Sequence, residues 1–408
     1  MKNPVIRRAD ILLPAPGVAL EKWAVVAVDQ YTSEPEYWRA VEAFVGDAPS
    51  ALKLVLPEIY LDEGAARIPR MQAQMGEYLA SGALCEAVRG GYILVERRTQ
   101  SGARLGLMAC LDLEEYDYAP GAKRPIRATE GTVLERVPPR VKMRRGAALE
   151  LPHILMLLDD PDCRAIEPIY GARSELELLY DFELMQGGGR LRGWKVDGDA
   201  ADRLEAALDE IYAGCDGLFL AVGDGNHSLA AARARWLELR DSLSPAQREG
   251  HPARYALAEI ENLHSPAIDF APIHRIITGV DAPALAAELK AALSDMQVSD
   301  GPLSLRLIAD GAEETRFYSA HPLGAMQAFL DDWLKAHPEA KIDYIHGDDT
   351  LRRLAAQKGA LGLMPCALPK SALFPYIRAH GVLPRKTFSM GQANEKRFYL
   401  EARRTTPD

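Results

Sequence analysis

The segment Leu218–Ala232 constrains the fold more than any other stretch of this 408-residue chain. Leu218–Val222 reads as a short buried strand. Gly223-Asp224-Gly225-Asn226-His227-Ser228 reads as a glycine-flanked polar turn, and Leu229, Ala232, Trp236 and Leu239 then fall on one helical face. A strand that feeds straight into a helix must lay that helix on its own sheet, which is the local unit of an α/β protein. Further strands are expected at Trp23–Val28, Leu52–Tyr60, Tyr255–Asn262 and Ile273–Thr278, and hairpins at 92–113, 174–196 and 303–320. Helices are expected from a Ser33-Glu34-Pro35-Glu36 capping box to about Val45, and over Ile68–Ser81, Ala201–Ala213 and Ala325–His337. Lys341–Ile345, Asp349–Gln357, Ala360–Pro365 and Ser371–His380 alternate as a C-terminal βαβα unit, which predicts a partly parallel sheet. The expected fold class is therefore α/β with mixed sheets and a strand-turn-helix site loop. No repeat or low-complexity linker divides the chain, so residues 1–408 read as one unit. The softest boundary, Asp197-Gly198-Asp199, would give lobes 1–197 and 198–408 around a shared cleft.

Composition excludes several classes. Hydrophobic residues make up 48% and charged residues 26%, as in a packed globular protein, and the formal net charge is -10. A chain that coats nucleic acid needs a broad basic face, so no nucleic-acid partner is expected, whereas a small basic pocket for a phosphorylated molecule is compatible. Cys85, Cys110, Cys163, Cys215 and Cys366 form no Cys-x-x-Cys pair, which predicts reduced, mostly buried thiols in the cytoplasm. The first ten residues lack the apolar run of a signal peptide, and no apolar run approaches the ~20 residues of a membrane span.

The turn offers chemistry. The first N–H groups of a helix lack intrahelical partners and attract anions. Gly223 and Gly225 let the backbone bend and a ligand approach. Asp224, Asn226, His227 and Ser228 supply a carboxylate, an amide, an imidazole and a hydroxyl within five residues. The plainer reading has Asn226 or Ser228 capping the helix, Asp224 making the turn and His227 packing. The spacing is not that of a Walker loop, and one histidine cannot supply a zinc site.

The turn resembles the Asp-Gly-His-His-Arg signature of a prokaryotic family, domain of unknown function one thousand and fifteen. Lys22–Ser33, Arg127-Ala128-Thr129-Glu130-Gly131-Thr132, Leu149–His153 and Leu383-Pro384-Arg385-Lys386-Thr387 resemble other segments of that family, so the resemblance spans nearly the whole chain. A similar turn occurs in free serine kinases of the ParB/sulfiredoxin-like type, where it and the following helix hold nucleotide phosphates. Asn226 stands here in place of the first histidine and Ser228 in place of the arginine, which removes the most direct phosphate partner.

The resemblance implies a kinase-like phosphotransferase that uses ATP or ADP with Mg2+ on a small hydroxyl acceptor such as free serine. Asp224, His227, Glu130 and Asp29 would be the catalytic candidates; Gly223, Gly225, Asn226, Ser228, Arg127, Arg385 and Lys386 would hold the cofactor. The alternatives are a non-catalytic nucleotide- or metabolite-binding protein and a metal-assisted phosphoester hydrolase. Each candidate also has a plain reading: Asp29 as a turn aspartate, Arg127 and Glu130 as a surface ion pair, Arg385 and Lys386 as solvated charges. Glu150 could orient His153 across Leu151-Pro152, and Asp159, Asp160 and Asp162 could gather magnesium or form an acidic turn.

Overall fold

The computed structural model describes residues 2–100, 102–119 and 121–407. They divide into two compact units, Met1–Ile268 with Gly391–Asp408, and Asp269–Met390. In the first unit the elements that position the site are β1 (Val25–Val26), α1 (Pro35–Val45), α2 (Gly64–Ala80), β2 (Leu84–Thr99), β3 (Gly102–Asp112), β4 (Ile126–Ala128), α3 (Val137–Arg144), β5 (Leu155–Leu158), β6 (Leu178–Leu184), β7 (Gly189–Val196), α4 (Gly198–Gly214), β8 (Leu220–Asp224), α5 (Asn226–Arg240) and β9 (Tyr255–Asn262).

Within the central sheet these strands follow the order β6-β7-β2-β3-β9-β5-β8-β4, and Tyr116–Asp117 pairs on beyond β4. It is mixed: β9 pairs parallel with β5 and β8 parallel with β4, while β8 pairs antiparallel with β5. Both faces are covered. Along β2, Tyr92 and Leu94 join one apolar cluster and Ile93 and Val95 the other, as the two-residue period of a strand requires. Burial on both sides makes these strands continuous apolar runs rather than alternating ones. Leu204, Leu208 and Ile211 of α4 and Leu229 and Trp236 of α5 pack into the first cluster.

The second unit holds β10 (Phe270–Thr278), β11 (Lys341–His346), α6 (Asp348–Ala355), β12 (Ala360–Pro365) and α7 (Leu373–His380), so the βαβα order is present. Its strands do not pair as expected. β10 lies between β11 and β12 and is antiparallel to both, so those two strands share a direction without touching.

Other expectations are corrected too. The boundary near Asp197-Gly198-Asp199 falls inside the first unit, where Gly198 (φ 49°) begins α4 directly after β7. A strand-to-helix turn and a linker share the same residue types. Leu52–Tyr60 forms 3-10 turns at Ala51–Lys53 and Glu58–Glu63 rather than a strand. Trp23–Ala27 is buried and Val28 half-buried, but only Val25–Val26 pairs, with β13 (Phe398–Tyr399). Ser33 caps nothing: Pro35 opens α1 with Glu34 at the N-cap. The hairpin at 92–113 forms as β2 and β3, with Ser101 of its turn outside the described residues. The five thiols are free; Cys110 is buried and the other four are half-buried. Among the described residues no helix is long and apolar enough to cross a membrane.

Candidate functional site

The ends of four segments meet at one edge of the central sheet. Because β4 runs parallel to β8, the residues after Ala128 leave the sheet beside the residues after Val222. Because β5 runs antiparallel to β8, its start lies at that same edge, and His153 precedes it. Ligand groups in α/β sheets gather at such strand ends. The fourth segment is β13, which pairs with β1.

The turn forms where the spacing predicts and is shorter than expected, because the strand ends later and the helix begins earlier. β8 extends to Asp224, Gly225 takes a left-handed conformation (φ 81°), and α5 begins at Asn226. Leu229, Ala232 and Trp236 are buried and Leu239 packs against the core. Gly223 sits at a register shift, since Val222 opposes Met156 but Asp224 opposes Leu155. A bulge of this kind re-aims the next side chain. Gly225 admits no other residue easily. Its φ disfavours an L side chain, and a Cβ there would lie 3.0 Å from Ile154 Cα. The alanines of α5 also have a use: Ala230 and Ala231 pack against Val137 and Val141, which lets α3 approach closely.

Asp224 is held from two sides. Gly225 N donates to its Oδ1 at 2.8 Å, and Lys396 Nζ lies 3.1 Å from its Oδ2. Burial pushes the carboxyl up, but the Lys396 ammonium and His153 outweigh it and hold it below its usual value. His227 accepts a hydrogen bond from Val133 N at Nε2, 3.2 Å. Burial, with the charges of Arg140 and Arg136, lowers its pKa to about 4. The ring is therefore neutral at pH 7 with its proton on Nδ1, a donor rather than a ready base. Thr129 Oγ1 donates to Val222 O at 2.7 Å and ties the 129–133 segment to the turn.

A hydrogen-bonded chain runs alongside. Ser228 Oγ is 3.1 Å from His153 Nε2, and Tyr399 OH is 2.8 Å from His153 Nδ1. Tyr399 OH also receives Val28 N at 3.4 Å. Burial holds the phenol neutral and depresses the imidazole, while Asp29 and Asp224 work against that depression. A neutral phenol has one proton to give, and His153 Nδ1 is the acceptor facing it. His153 then donates from Nε2 to Ser228 Oγ, which leaves the serine O–H to serve as a donor.

The candidates separate on this geometry. Asp29, Ser228, His153, Tyr399 and Arg140 line one cavity of about 250 Å³. Asp29 is hydrogen-bonded by Gln30 Nε2, and its charge acts on both His153 and His227. Glu130 follows β4 at the same sheet edge as the turn. Arg127 lies elsewhere: its guanidinium bonds the carbonyls of Arg124 and Gly217, at the opposite end of β8. Arg385 and Lys386 belong to the second unit, where Arg275 Nη2 donates to the Arg385 carbonyl at 3.1 Å. Glu150 does not orient His153; it pairs with Arg403 at 2.8 Å and Arg144 at 3.0 Å. Asp160 anchors its own turn by accepting from Arg164 N and Ala165 N, while Asp159 pairs with His264. Among the described residues no group of three or more His, Cys, Asp or Glu is arranged around a metal position.

The residues that sequence reasoning missed come from far along the chain. Lys396 and Tyr399 lie in the segment that re-enters the first unit after residue 390. Arg97 Nη2 and Nη1 hold that segment through the carbonyls of Asn394 (2.6 Å) and Glu395 (3.1 Å). Arg140 projects from α3 and pairs with Glu58. The one sequence signal for Lys396 was the unanswered carboxylate at Asp224, which needs a cation when half-buried.

Two buried polar atoms here, Asn226 Oδ1 and Thr132 Oγ1, have no hydrogen-bond partner among the described residues. Gly225 gives α5 no side-chain cap.

Solved structures with similar folds include a free serine kinase variant in complex with ADP, with 10% identity over 72% of this chain and 91% of that chain, TM-score 0.38. SbnI from Staphylococcus aureus, truncated at its C-terminus, gives 9% identity over 70% and 82%, TM-score 0.36. A conserved hypothetical protein from Pyrococcus furiosus gives 11% identity over 72% and 94%, TM-score 0.36. Likeness of this size assigns no chemistry. No curated protein matches the chain. The model of the family described as protein of unknown function, DUF1015, matches residues 12–380, and the chain belongs to that family.

Proposed function

We propose that the protein is a nucleotide-using small-molecule phosphotransferase acting on a hydroxyl acceptor. The observation that carries this reading is the convergence at one turn of an uncapped helix N-terminus, two orphaned polar atoms and the Lys396–Asp224 pair, next to a cavity lined by Asp29 and Ser228. Phosphoryl transfer asks the protein mainly for phosphate positioning, charge stabilisation and a base beside the acceptor. The N–H groups that open α5, the Ser228 hydroxyl, Lys396 and Arg136 suit phosphate oxygens. Arg136 is exposed, forms no ion pair among the described residues and acts on His227, so it can replace the arginine that Ser228 displaces.

A bound ATP or ADP would supply the phosphoryl group, and Mg2+ would supply charge stabilisation for its phosphates. Magnesium needs only one or two protein carboxylates beside substrate phosphates, so Asp224 would suffice to hold it and Asp29 is left free as the base. Asp29 takes the acceptor's hydroxyl proton as the acceptor oxygen bonds to the terminal phosphorus. The bridging P–O bond breaks, and the nucleotide leaves one phosphate shorter. His227, neutral with Nδ1 protonated, donates to a phosphate oxygen.

The test is to incubate the protein with Mg2+, ATP or ADP and a panel of hydroxyl compounds that includes free serine, and to detect phosphorylated products by mass spectrometry. Wild type should form product, and Asp29→Asn should form it about 100-fold more slowly with an unchanged Tm. Nucleotide binding without product would instead make this a binding protein, and phosphate release without an acceptor would make it a hydrolase.

A further inference from the structure

The cavity beside Asp29 and Ser228 has a mixed lining in which apolar side chains outweigh polar ones. Leu54, Leu56, Met71, Met75 and Met143 face the same space as Asp29, His153, Ser228 and Tyr399. Three arginines line it, and each is committed to a glutamate: Arg140 to Glu58, Arg144 to Glu150 at 3.0 Å, and Arg235 to Glu238 at 3.0 Å. His251 also lines it and is lowered by burial and by Arg235, which keeps it uncharged at pH 7. A zwitterion such as free serine would bring an ammonium and a carboxylate into this space. Among the described residues no lining arginine is without a glutamate partner to receive the carboxylate, and an unpaired charge among methionine side chains is costly. Thioether side chains are polarizable and adapt to irregular apolar shapes. A cavity of ~150 Å³ holds benzene, so about 250 Å³ holds roughly ten non-hydrogen atoms.

From this we infer that the acceptor is a neutral alcohol with an apolar body, which fills the methionine-lined side while its hydroxyl meets Asp29 and Ser228. The inference rests on the phosphotransfer reading and narrows it: an amino acid with free ammonium and carboxylate groups is not the preferred acceptor.

The experiment compares ethanol, butanol, hexanol, 2-phenylethanol and free serine as acceptors for wild type and for Met71→Trp, with Met143→Trp as a second filled-cavity variant. Thermal shift with each alcohol is read in parallel, without nucleotide. KM should fall about ten-fold or more from ethanol to hexanol, since each buried methylene favours binding. The preference for hexanol over ethanol should collapse in the filled variants, and serine should be the poorest acceptor. The wild-type series stands alone if either variant fails to fold. Phosphorylation of serine at lower KM than hexanol, with no effect of chain length, overturns the inference and leaves phosphotransfer intact. If no compound is phosphorylated but hexanol raises the Tm of wild type and not of the filled variant, the apolar site stands and phosphotransfer falls. Absence of both product and thermal shift overturns the inference.

Discussion

Lys396 Nζ lies 3.1 Å from Asp224 Oδ2, so the carboxylate of the turn, near the middle of the sequence, is answered by a cation from its last segment. The two side chains are 15% and 27% exposed, which places the pair between a surface bridge and a buried one. Neutralising one partner leaves the other half-buried and unpaired, and that is the costly direction.

Asp224→Asn should therefore lower unfolding stability by about 1–2 kcal/mol and turnover by about 100-fold. Lys396→Met should lower stability similarly, and the double variant should be less destabilised than the sum of the two, as urea unfolding will show. The acid dependence has a definite sign. The folded carboxyl is held below its unfolded value, so its stabilisation is present above about pH 4 and is lost as pH falls through the folded value. Asp224→Asn should lack this loss. Additive single variants would mean that the pair contributes no coupling.

His227 supplies a second pH test. Its folded pKa of about 4 lies below the ordinary 6.5. Between those values the unfolded chain binds the proton more readily, so stability falls as pH drops from about 6.5 towards 4 and levels off above about 7. His227→Gln keeps an acceptor for Val133 N but has nothing to titrate, so its stability should vary less over that window. Urea unfolding at pH 4.5, 5.5, 6.5 and 7.5 measures the difference. Equal slopes in the two proteins would show that His227 titrates normally.

The strand-turn-helix unit was legible because its signals are local: an apolar run, a glycine where φ must be positive, and a 3.6-residue period beyond it. The hairpins β2–β3, β6–β7 and Ser304–Ala309 with Ala312–Tyr318 were legible from apolar runs on either side of a glycine-containing turn, and Tyr255–Asn262 from its apolar run. Leu52–Tyr60 was misread because apolar residues around Pro57 suit 3-10 turns as well as a strand, and Leu54 and Leu56 line a cavity instead of a sheet. The partners of Asp224 and His153 were not legible. Lys396 and Tyr399 reach them only through the pairing of β13 with β1 and the grip of Arg97, and no local pattern encodes either. Glu150, three residues from His153, looked like its partner; Arg403, far along the chain, takes it instead.

Tyr399 tests whether the Ser228–His153–Tyr399 chain sets a proton position. Tyr399→Phe keeps the ring against His153 but removes the hydroxyl that donates to Nδ1 at 2.8 Å. A buried acceptor left without its donor costs about 1–3 kcal/mol, so stability should fall by that order. The imidazole has an alternative: it can move its proton to Nδ1 and accept the Ser228 hydroxyl at Nε2, which spends the donor that Ser228 otherwise offers to a ligand. Nitrogen NMR of labelled histidine separates the tautomers. Wild type should show His153 protonated at Nε2, and Tyr399→Phe should shift it towards Nδ1. Ser228→Ala should leave the wild-type tautomer in place, because the Tyr399 donor remains, while weakening nucleotide binding. If Tyr399→Phe lowers stability without moving the tautomer, the tyrosine only fills space, and the direction assigned to the chain is wrong.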